Sequence, residues 1–187
     1  MALQLFDTMS REVREVFPMD EKSVRFYSCG PTVYGPAHVG NFRTFVMQDV
    51  FRRVLETSGQ KTFHVRNLTD VDDKTIRQSQ EEGVKLEDFT DKWTARFHQD
   101  CELLNLLNPH TEPSAVGHIP EQITLIQRLI DAGKAYQASD GSVYFKVEAF
   151  AEYGRLSRLA DREITTSETD RETSDEYDRD SAADFAL

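Results

Sequence analysis

The first half of this chain contains a short run of β-branched and aromatic residues, followed by a stretch in which apolar residues recur at helical spacing. Residues 24–29 form a short run rich in β-branched and aromatic side chains, which is typical of a strand. From Asn41 onward, apolar positions recur at steps of three and four residues, which predicts a helix over residues 42–58 with Asn41 as its N-cap. Residues 61–68 read as a second strand. This order predicts a right-handed βαβ unit with parallel strands.

The same pattern predicts further elements on both sides of this unit. They are strands at residues 4–7 and 14–17, helices at residues 72–82, 87–107 and 120–132, and a hairpin of residues 135–138 and 142–147. One helix carries an apolar stripe that we expect to pack in the core, consisting of Phe89, Trp93, Phe97, Cys101 and Leu104. Residues 161–181 have almost no apolar side chains, which predicts a solvated loop, before residues 182–187 turn apolar again.

The segment between the first strand and its helix combines residue types that suit phosphate chemistry. The N–H groups of a first helical turn lack internal partners and carry partial positive charge, which favours phosphate. Gly40 would let a nucleotide approach the backbone, and His38 could donate to a phosphate oxygen. Cys29 ends the strand, where open α/β sheets place reacting groups. Each feature alone has a common structural explanation, and only their combination is specific.

Other polar residues leave two explanations open. Asp70, Asp72 and Asp73 predict either a helix start, with Thr69 or Asp70 as the cap, or a substrate or divalent-metal site. The spacing of His110 and His118 fits no common zinc pattern, so we interpret these histidines as structural or surface residues.

Composition narrows the class of protein. The chain has 187 residues and a formal net charge of -11, which argues against binding nucleic acid through bulk positive charge. No apolar run approaches the length of a membrane span, and the first residues do not resemble a signal peptide. Two cysteines without short spacing favour a reducing cytoplasm over a disulfide scaffold.

Two blocks of sequence resemble one known family. The first is Cys-Gly-Pro-Thr-Val-Tyr at residues 29–34 followed by His-Val-Gly-Asn at residues 38–41, and we call residues 29–41 the first signature. The second, residues 65–74, reads Val-Arg-Asn-Leu-Thr-Asp-Val-Asp-Asp-Lys, and we call it the second signature. Together they resemble cysteinyl-tRNA synthetases, whose class carries a His-Ile-Gly-His motif. The similarity extends over nearly the whole chain.

The resemblance implies an α/β fold, namely the first half of a Rossmann-like parallel-sheet nucleotide-binding domain with part of an inserted α+β subdomain. On this interpretation residues 1–108 are the first half of the catalytic domain and residues 109–160 the inserted subdomain. Residues 161–181 are then a polar acidic loop, and residues 182–187 begin a return segment that looks cut.

The resemblance also implies an activity, which is ATP-dependent activation of cysteine and its transfer to tRNA-Cys. His38, Gly40 and Asn41 would contact ATP, with His38 and Asn41 catalytic. Gly30 and Thr69 would line the cysteine pocket, and Cys29 would be a ligand of Zn²⁺, while Mg²⁺ would accompany ATP. We expect a cytoplasmic monomer that contacts tRNA mainly through regions absent from this chain.

The chain departs from the family pattern in three ways. It has no Lys-Met-Ser-Lys-Ser motif, only Cys29 of the zinc ligands can be placed, and Gly35 stands where the family often has an acidic residue. We therefore expect the chain alone to be inactive and to bind zinc weakly or not at all. Two alternatives remain, a cysteine ligase of mycothiol synthesis and a stand-alone, non-catalytic binding module.

Overall fold

The computed structural model describes residues 3–20, 22–158 and 183–187, and the chain divides into two compact units. The first unit comprises Met1–Phe6 and Val13–Ile119, and the second comprises Asp7–Glu12 and Pro120–Leu187. The domain limits predicted at residues 108 and 160 come from the family resemblance and stay predictions, and residues 161–181 lie outside the described residues.

The elements follow the predicted order, with shifts of a few residues at their ends. They are β1 (Gln4–Asp7), β2 (Glu12–Glu15), β3 (Val24–Ser28), α1 (Val39–Thr57), β4 (Thr62–Arg66), α2 (Asp73–Glu82), α3 (Leu86–Leu103), α4 (Ile119–Asp131), β5 (Ala135–Gln137), β6 (Val143–Phe145) and β7 (Phe185–Ala186). Two short 3-10 helices lie at Val116–His118 and Val147–Ala149. β1 and β2 form a two-stranded sheet.

The centre of the first unit is the predicted βαβ arrangement. β3 and β4 pair in parallel, with Val24 opposite Thr62 and Ser28 opposite Arg66. The predicted parallel pairing of these two strands is therefore confirmed. An isolated parallel bridge between Thr32 and Thr69 continues the pairing beyond the ends of both strands.

The core of this unit lies between α1, α3 and the segments that follow the two strands. Its buried residues are Val33, Phe45, Leu68, Phe97 and Cys101. The burial predicted for Cys101 is confirmed, since only 2% of it is exposed. Leu104 was wrongly assigned to the stripe, because α3 ends at Leu103 and Leu104 is its half-exposed C-cap.

A buried ion pair adjoins this core. Arg66 is 3% exposed, and its Nη2 lies 2.6 Å from Oε1 of Glu112. The guanidinium lies 4.9 Å from the ring centre of Phe97, and Nε2 of His98 lies 2.6 Å from the other oxygen of Glu112. Burial alone would raise the pKa of Glu112, but the hydrogen bond from His98 and the charge of Arg66 outweigh it and lower that pKa below its usual range.

The second unit contains the predicted hairpin. β5 and β6 pair in antiparallel fashion, and β7 adds a third strand to the other edge of β6. Gly141, in the turn, has a φ of +92°, a conformation that favours glycine. Asp184 fixes this sheet, because its carboxylate accepts hydrogen bonds from the Tyr136 hydroxyl and the Val147 N–H. Within the described part of the chain, no helix is long and apolar enough to cross a membrane.

Candidate functional site

A cavity of about 360 Å³ lies in the first unit, where the first signature leaves the end of β3. The loop of residues 29–37 supplies most of its wall, α1 and α3 supply part of the rest, and Lys74 reaches it from α2. Of the predicted site residues, Cys29, Gly30 and Asn41 line this cavity. His38, Gly40 and Thr69 are not among its lining residues.

The two signatures lie side by side along their backbones. The Thr69 N–H donates to the Pro31 carbonyl at 3.0 Å, and the Val33 N–H donates to the Thr69 carbonyl at 3.1 Å. These bonds extend the parallel pairing of β3 and β4 into both signatures. A segment that follows β4, far along the chain, therefore supports the wall of the cavity.

Asn67 fixes this arrangement with its side chain. Its Oδ1 accepts from the Gly30 N–H at 3.0 Å and from the Tyr27 hydroxyl at 2.8 Å. Its Nδ2 donates to Oγ1 of Thr69 at 3.0 Å. Two donors facing one oxygen fix the orientation of the amide. Asn67 had no predicted role, and the only signal in the sequence was a polar residue directly after a strand in the second signature.

Gly30 is required here by a close approach of two backbones. A Cβ at this position would lie 1.6 Å from the carbonyl oxygen of Asn67, far inside contact distance. By contrast, a Cβ on Gly35 would have no neighbour within 4 Å. Close packing therefore explains why residue 30 is a glycine, and the contact of Gly30 with cysteine stays a prediction.

The start of α1 differs from the prediction. His38, not Asn41, is the N-cap, and its Nδ1 accepts from the N–H groups of Gly40 at 3.0 Å and Asn41 at 3.3 Å. Asn41 is the third residue of the helix, and its Oδ1 accepts from the His38 N–H at 3.0 Å. This reciprocal pair is a capping box. The assignment of Asn41 as N-cap was wrong because the helix begins at Val39, three residues earlier than predicted.

This cap determines what His38 can do chemically. A ring whose Nδ1 accepts hydrogen bonds carries its proton on Nε2, so Nε2–H is the available donor. The ring also lies over Gly40, because a Cβ there would be 2.8 Å from Cε1 of His38. The imidazole thus binds the N–H groups of Gly40 and Asn41, which belong to the first helical turn that was predicted to bind phosphate. The group that His38 itself can offer to a phosphate oxygen is its Nε2–H.

The two cysteines have opposite environments. Cys29 is free and exposed, and its backbone carbonyl is held by the side-chain amide of Gln48 at 3.0 Å. Cys101 is free and buried, and burial raises the pKa of its thiol. Cys29 is therefore the thiol that solvent and ligands can reach.

The acidic residues of the second signature mainly hold the backbone. Asp72 caps α2 by accepting from the Thr75 N–H at 2.8 Å, and Asp70 accepts from the Val116 N–H at 2.9 Å. The helix start was predicted correctly, but Thr69 and Asp70 were wrong as caps. Across residues 3–20, 22–158 and 183–187, no group of three or more His, Cys, Asp or Glu could hold a metal ion.

The histidines near the second signature also make structural contacts. His110 accepts from the His64 N–H through Nδ1 at 3.0 Å, and Nδ1 of His118 lies 2.8 Å from the Ser114 carbonyl. His64 is 3% exposed and its Nε2 lies 2.7 Å from Oγ of Ser28, which joins β4 to β3. Burial, followed by the nearby charges of arginines, lowers the pKa of His64 to about 4.

The chain has clear relatives. It is 52% identical to a cysteine–tRNA ligase of Opitutus terrae over 100% of this chain and 42% of that protein. It is 45% identical to a cysteine–tRNA ligase of Methanosarcina acetivorans, over 99% of this chain and 38% of the relative. The chain therefore spans about two fifths of the length of the curated relatives it matches.

A solved structure supports the fold. The ternary complex of Agrobacterium radiobacter LeuRS with tRNA and LeuAMS matches 65% of this chain and 17% of the LeuRS chain, with a TM-score of 0.56 and 16% identity. At that identity the likeness shows the Rossmann-like α/β fold alone. Residues 15–187 match the family described as "tRNA synthetases class I (C) catalytic domain". The chain therefore belongs to this family of class I tRNA synthetase catalytic domains.

Proposed function

We propose that this chain is part of a cysteine–tRNA ligase, which activates cysteine with ATP as cysteinyl-adenylate and transfers it to tRNA-Cys. The observation that carries this proposal is that relatives with this name match along the whole chain, at 52% identity for the Opitutus terrae protein. The geometry agrees, because the two signatures meet at one cavity with an exposed thiol on its wall.

His38 and Asn41 take the ATP-facing roles in this proposal. Adenylation places growing negative charge on the α-phosphate, so a fixed donor directed at that charge lowers the barrier. In this proposal the donor is Nε2–H of His38, and the capping bonds on Nδ1 support it by fixing the tautomer and the ring plane. Asn41 holds His38 through the His38 N–H and also lines the cavity. Gly40 completes the proposed ATP contacts, as the second residue of α1 directly beside the imidazole.

Cys29, Gly30 and Thr69 form the cysteine side of the proposed site. Cys29 and Gly30 line the cavity, and Thr69 lies next to them through its backbone bonds to Pro31 and Val33. The amide of Asn67 donates to the Thr69 hydroxyl, which leaves the hydroxyl proton free to bond elsewhere.

The family resemblance implies zinc, and the described residues do not fit a complete zinc site. Such a site needs about three or four protein ligands, and no group of three or more His, Cys, Asp or Glu that could hold an ion occurs among residues 3–20, 22–158 and 183–187. In this proposal Cys29 is the zinc ligand that these residues supply. Mg²⁺ enters the proposal only as the ion that accompanies ATP.

We also propose a cytoplasmic monomer. An exposed free thiol such as Cys29 persists best in a reducing compartment. tRNA-Cys would contact mainly the parts of the ligase that this chain lacks, since its net charge of -11 does not attract nucleic acid.

The test uses two proteins, the 187-residue chain and an extended chain in which the remaining part of the Opitutus terrae relative follows residue 187. We expect the extended chain to catalyse cysteine-dependent exchange of pyrophosphate into ATP and to charge tRNA-Cys, and the short chain to do neither.

The intact Opitutus terrae protein is the positive control, and serine in place of cysteine is the specificity control. An extended chain that folds but neither exchanges pyrophosphate nor charges tRNA-Cys, while the relative does both, would contradict the proposal. Transfer of cysteine to an amino sugar instead of tRNA would favour the mycothiol-type ligase.

A further inference from the structure

Lys74 is the one charged residue among the described residues that line the cavity. Among the described residues that line it, no Asp, Glu or Arg occurs, although the chain carries 33 acidic residues and a net charge of -11. Lys74 reaches the cavity from the second position of α2, at the end of the second signature. The cavity therefore has a cationic group and no carboxylate to neutralise it.

The ammonium group of Lys74 has an aromatic neighbour but no acidic partner. Its Nζ lies 5.3 Å from the ring centre of Tyr34, which also lines the cavity. Across the described part of the chain, the salt bridges include none to Lys74. The contact with Tyr34 holds the ammonium group at the wall without satisfying its capacity to donate hydrogen bonds.

The position of Lys74 within its helix is also unfavourable by local rules. The first turn of a helix carries partial positive charge and favours acidic residues, and Asp72 and Asp73 follow that rule in α2. A lysine in this turn is repelled by the positive end of the helix, and the contact with the Tyr34 ring is the one attractive contact that the structure describes for its ammonium group. Departures of this kind are expected where a residue serves a ligand.

We infer that Lys74 binds an oxyanion of the ligand that occupies the cavity, and that it is a specificity-determining residue of this site. The inference rests on the proposed function, which supplies two oxyanions, the carboxylate of cysteine and the phosphates of ATP. Both are recognised by the same chemistry, a charged N–H···O hydrogen bond. The inference does not require that this chain catalyse any reaction.

The test measures binding by the 187-residue chain with calorimetry at low salt. ATP is compared with adenosine, and cysteine with cysteamine, so that each pair differs by the oxyanion. We expect the wild-type chain to prefer the anionic member of one pair, and Lys74→Met to weaken that member about tenfold or more, as for a hydrogen bond to a charged group. Lys74→Arg should retain most of the preference.

Lys92→Met is the matched control. Lys92 also lies over an aromatic ring, with Nζ 4.8 Å from the ring centre of Trp93, but it pairs with Glu82 and does not line the cavity. The Lys92→Met variant should bind each of the four ligands with the affinity of the wild type. The melting temperature of Lys74→Met should be equal or higher, because a cation leaves the helix start, so lost binding would not reflect unfolding.

If Lys74→Met weakens the binding of ATP, the oxyanion is a phosphate, and if it weakens the binding of cysteine, the oxyanion is the carboxylate. The inference is wrong if the wild type does not distinguish the members of either pair, or if Lys74→Met keeps the preference. These results are independent of the exchange assay on the extended chain, so the proposed function and the role of Lys74 can fail separately.

Discussion

The two signatures look equivalent in sequence, and the structure gives them different tasks. Each follows one of two paired parallel strands and each leads into a helix that starts with a reciprocal capping box. In the first signature the cap is the imidazole of His38, and in the second it is the carboxylate of Asp72. A carboxylate cap has no proton to donate, whereas the imidazole accepts on one nitrogen and donates from the other.

The polar groups of the second signature mostly bind the protein itself. Asn67, Asp70 and Asp72 all make hydrogen bonds to the backbone. The first signature instead exposes the Cys29 thiol and leaves Nε2 of His38 as a donor. The first signature therefore presents the reactive groups, and the second holds them in place and adds Lys74.

The largest expected effect on stability comes from disrupting the backbone contact between the two signatures. Gly30→Ala should destabilise the chain by about 3 kcal/mol or more, at or above the upper end for overpacking, because the added Cβ would lie 1.6 Å from the Asn67 carbonyl oxygen. Gly35→Ala, in the same loop, should change stability by less than about 0.5 kcal/mol, since a Cβ there meets nothing within 4 Å. Urea denaturation followed by circular dichroism measures both. Equal stabilities for the two variants would show that the backbones are not in contact.

A second prediction concerns the strands that carry both signatures. His64 has a pKa lowered from 6.5 to about 4 in the folded chain, so between these values the unfolded chain binds more protons. Stability should therefore fall as the pH falls through this window, by about 3 kcal/mol over its whole width. The urea midpoint, measured from pH 7 to pH 5, would show the upper part of this fall.

His64→Gln is the control, because a glutamine can still bond Ser28 and does not titrate. Its stability should be lower at pH 7 but flatter over the same range. The measurement stops at pH 5 because the lowered pKa of Glu112 makes its contribution disappear as the pH falls below 4.5. A wild-type slope as flat as that of His64→Gln would refute the assignment.

The third prediction, with the smallest expected effect on stability, tests whether the capping residue of each signature also serves catalysis. His38→Asn keeps a good N-cap but removes the Nε2–H donor, so stability should change by less than about 0.5 kcal/mol. In the extended chain, the pyrophosphate-exchange rate should fall about a hundredfold, as for loss of one charge-stabilising donor. Asp72→Asn also keeps a cap and should leave the rate unchanged.

The exchange rate and the Km for cysteine should be read together. We expect His38→Asn to lower the rate much more than it raises the Km, because the donor acts on charge that appears in the transition state. A rate equal to that of Asp72→Asn would mean that His38 serves only as a cap.

Much of the fold was predictable because it follows from local periodicity. The helix of the βαβ unit and the burial of Cys101 come from apolar positions at helical spacing, whereas the first strand comes from a run of β-branched and aromatic residues and the hairpin from its turn residues. The caps were not predictable in the same way. Asparagine is generally a better N-cap than histidine, but the cap is the residue at which the extended backbone ends, and His38 has that backbone, with φ -99° and ψ 171°.

The features that could not be predicted depend on contacts between distant parts of the chain. Asn67 meets Gly30 across 37 positions, and no local pattern encodes such a meeting. Arg66 would be read as a surface residue from its charge, yet it is buried because Glu112, 46 positions away, supplies the opposite charge. The geometry around the cavity therefore depends on pairs that local patterns do not encode, and the site roles assigned through family resemblance stay predictions.

The close approach at Gly30 has a consequence for how this protein can vary over evolutionary time. The atom that excludes a side chain there is the main-chain oxygen of residue 67, which every amino acid carries. No substitution at position 67 can compensate for a larger residue at position 30. Sequence drift at the two positions should therefore be uncoupled, with glycine kept at 30 whichever residue stands at 67, while position 35 is free to change.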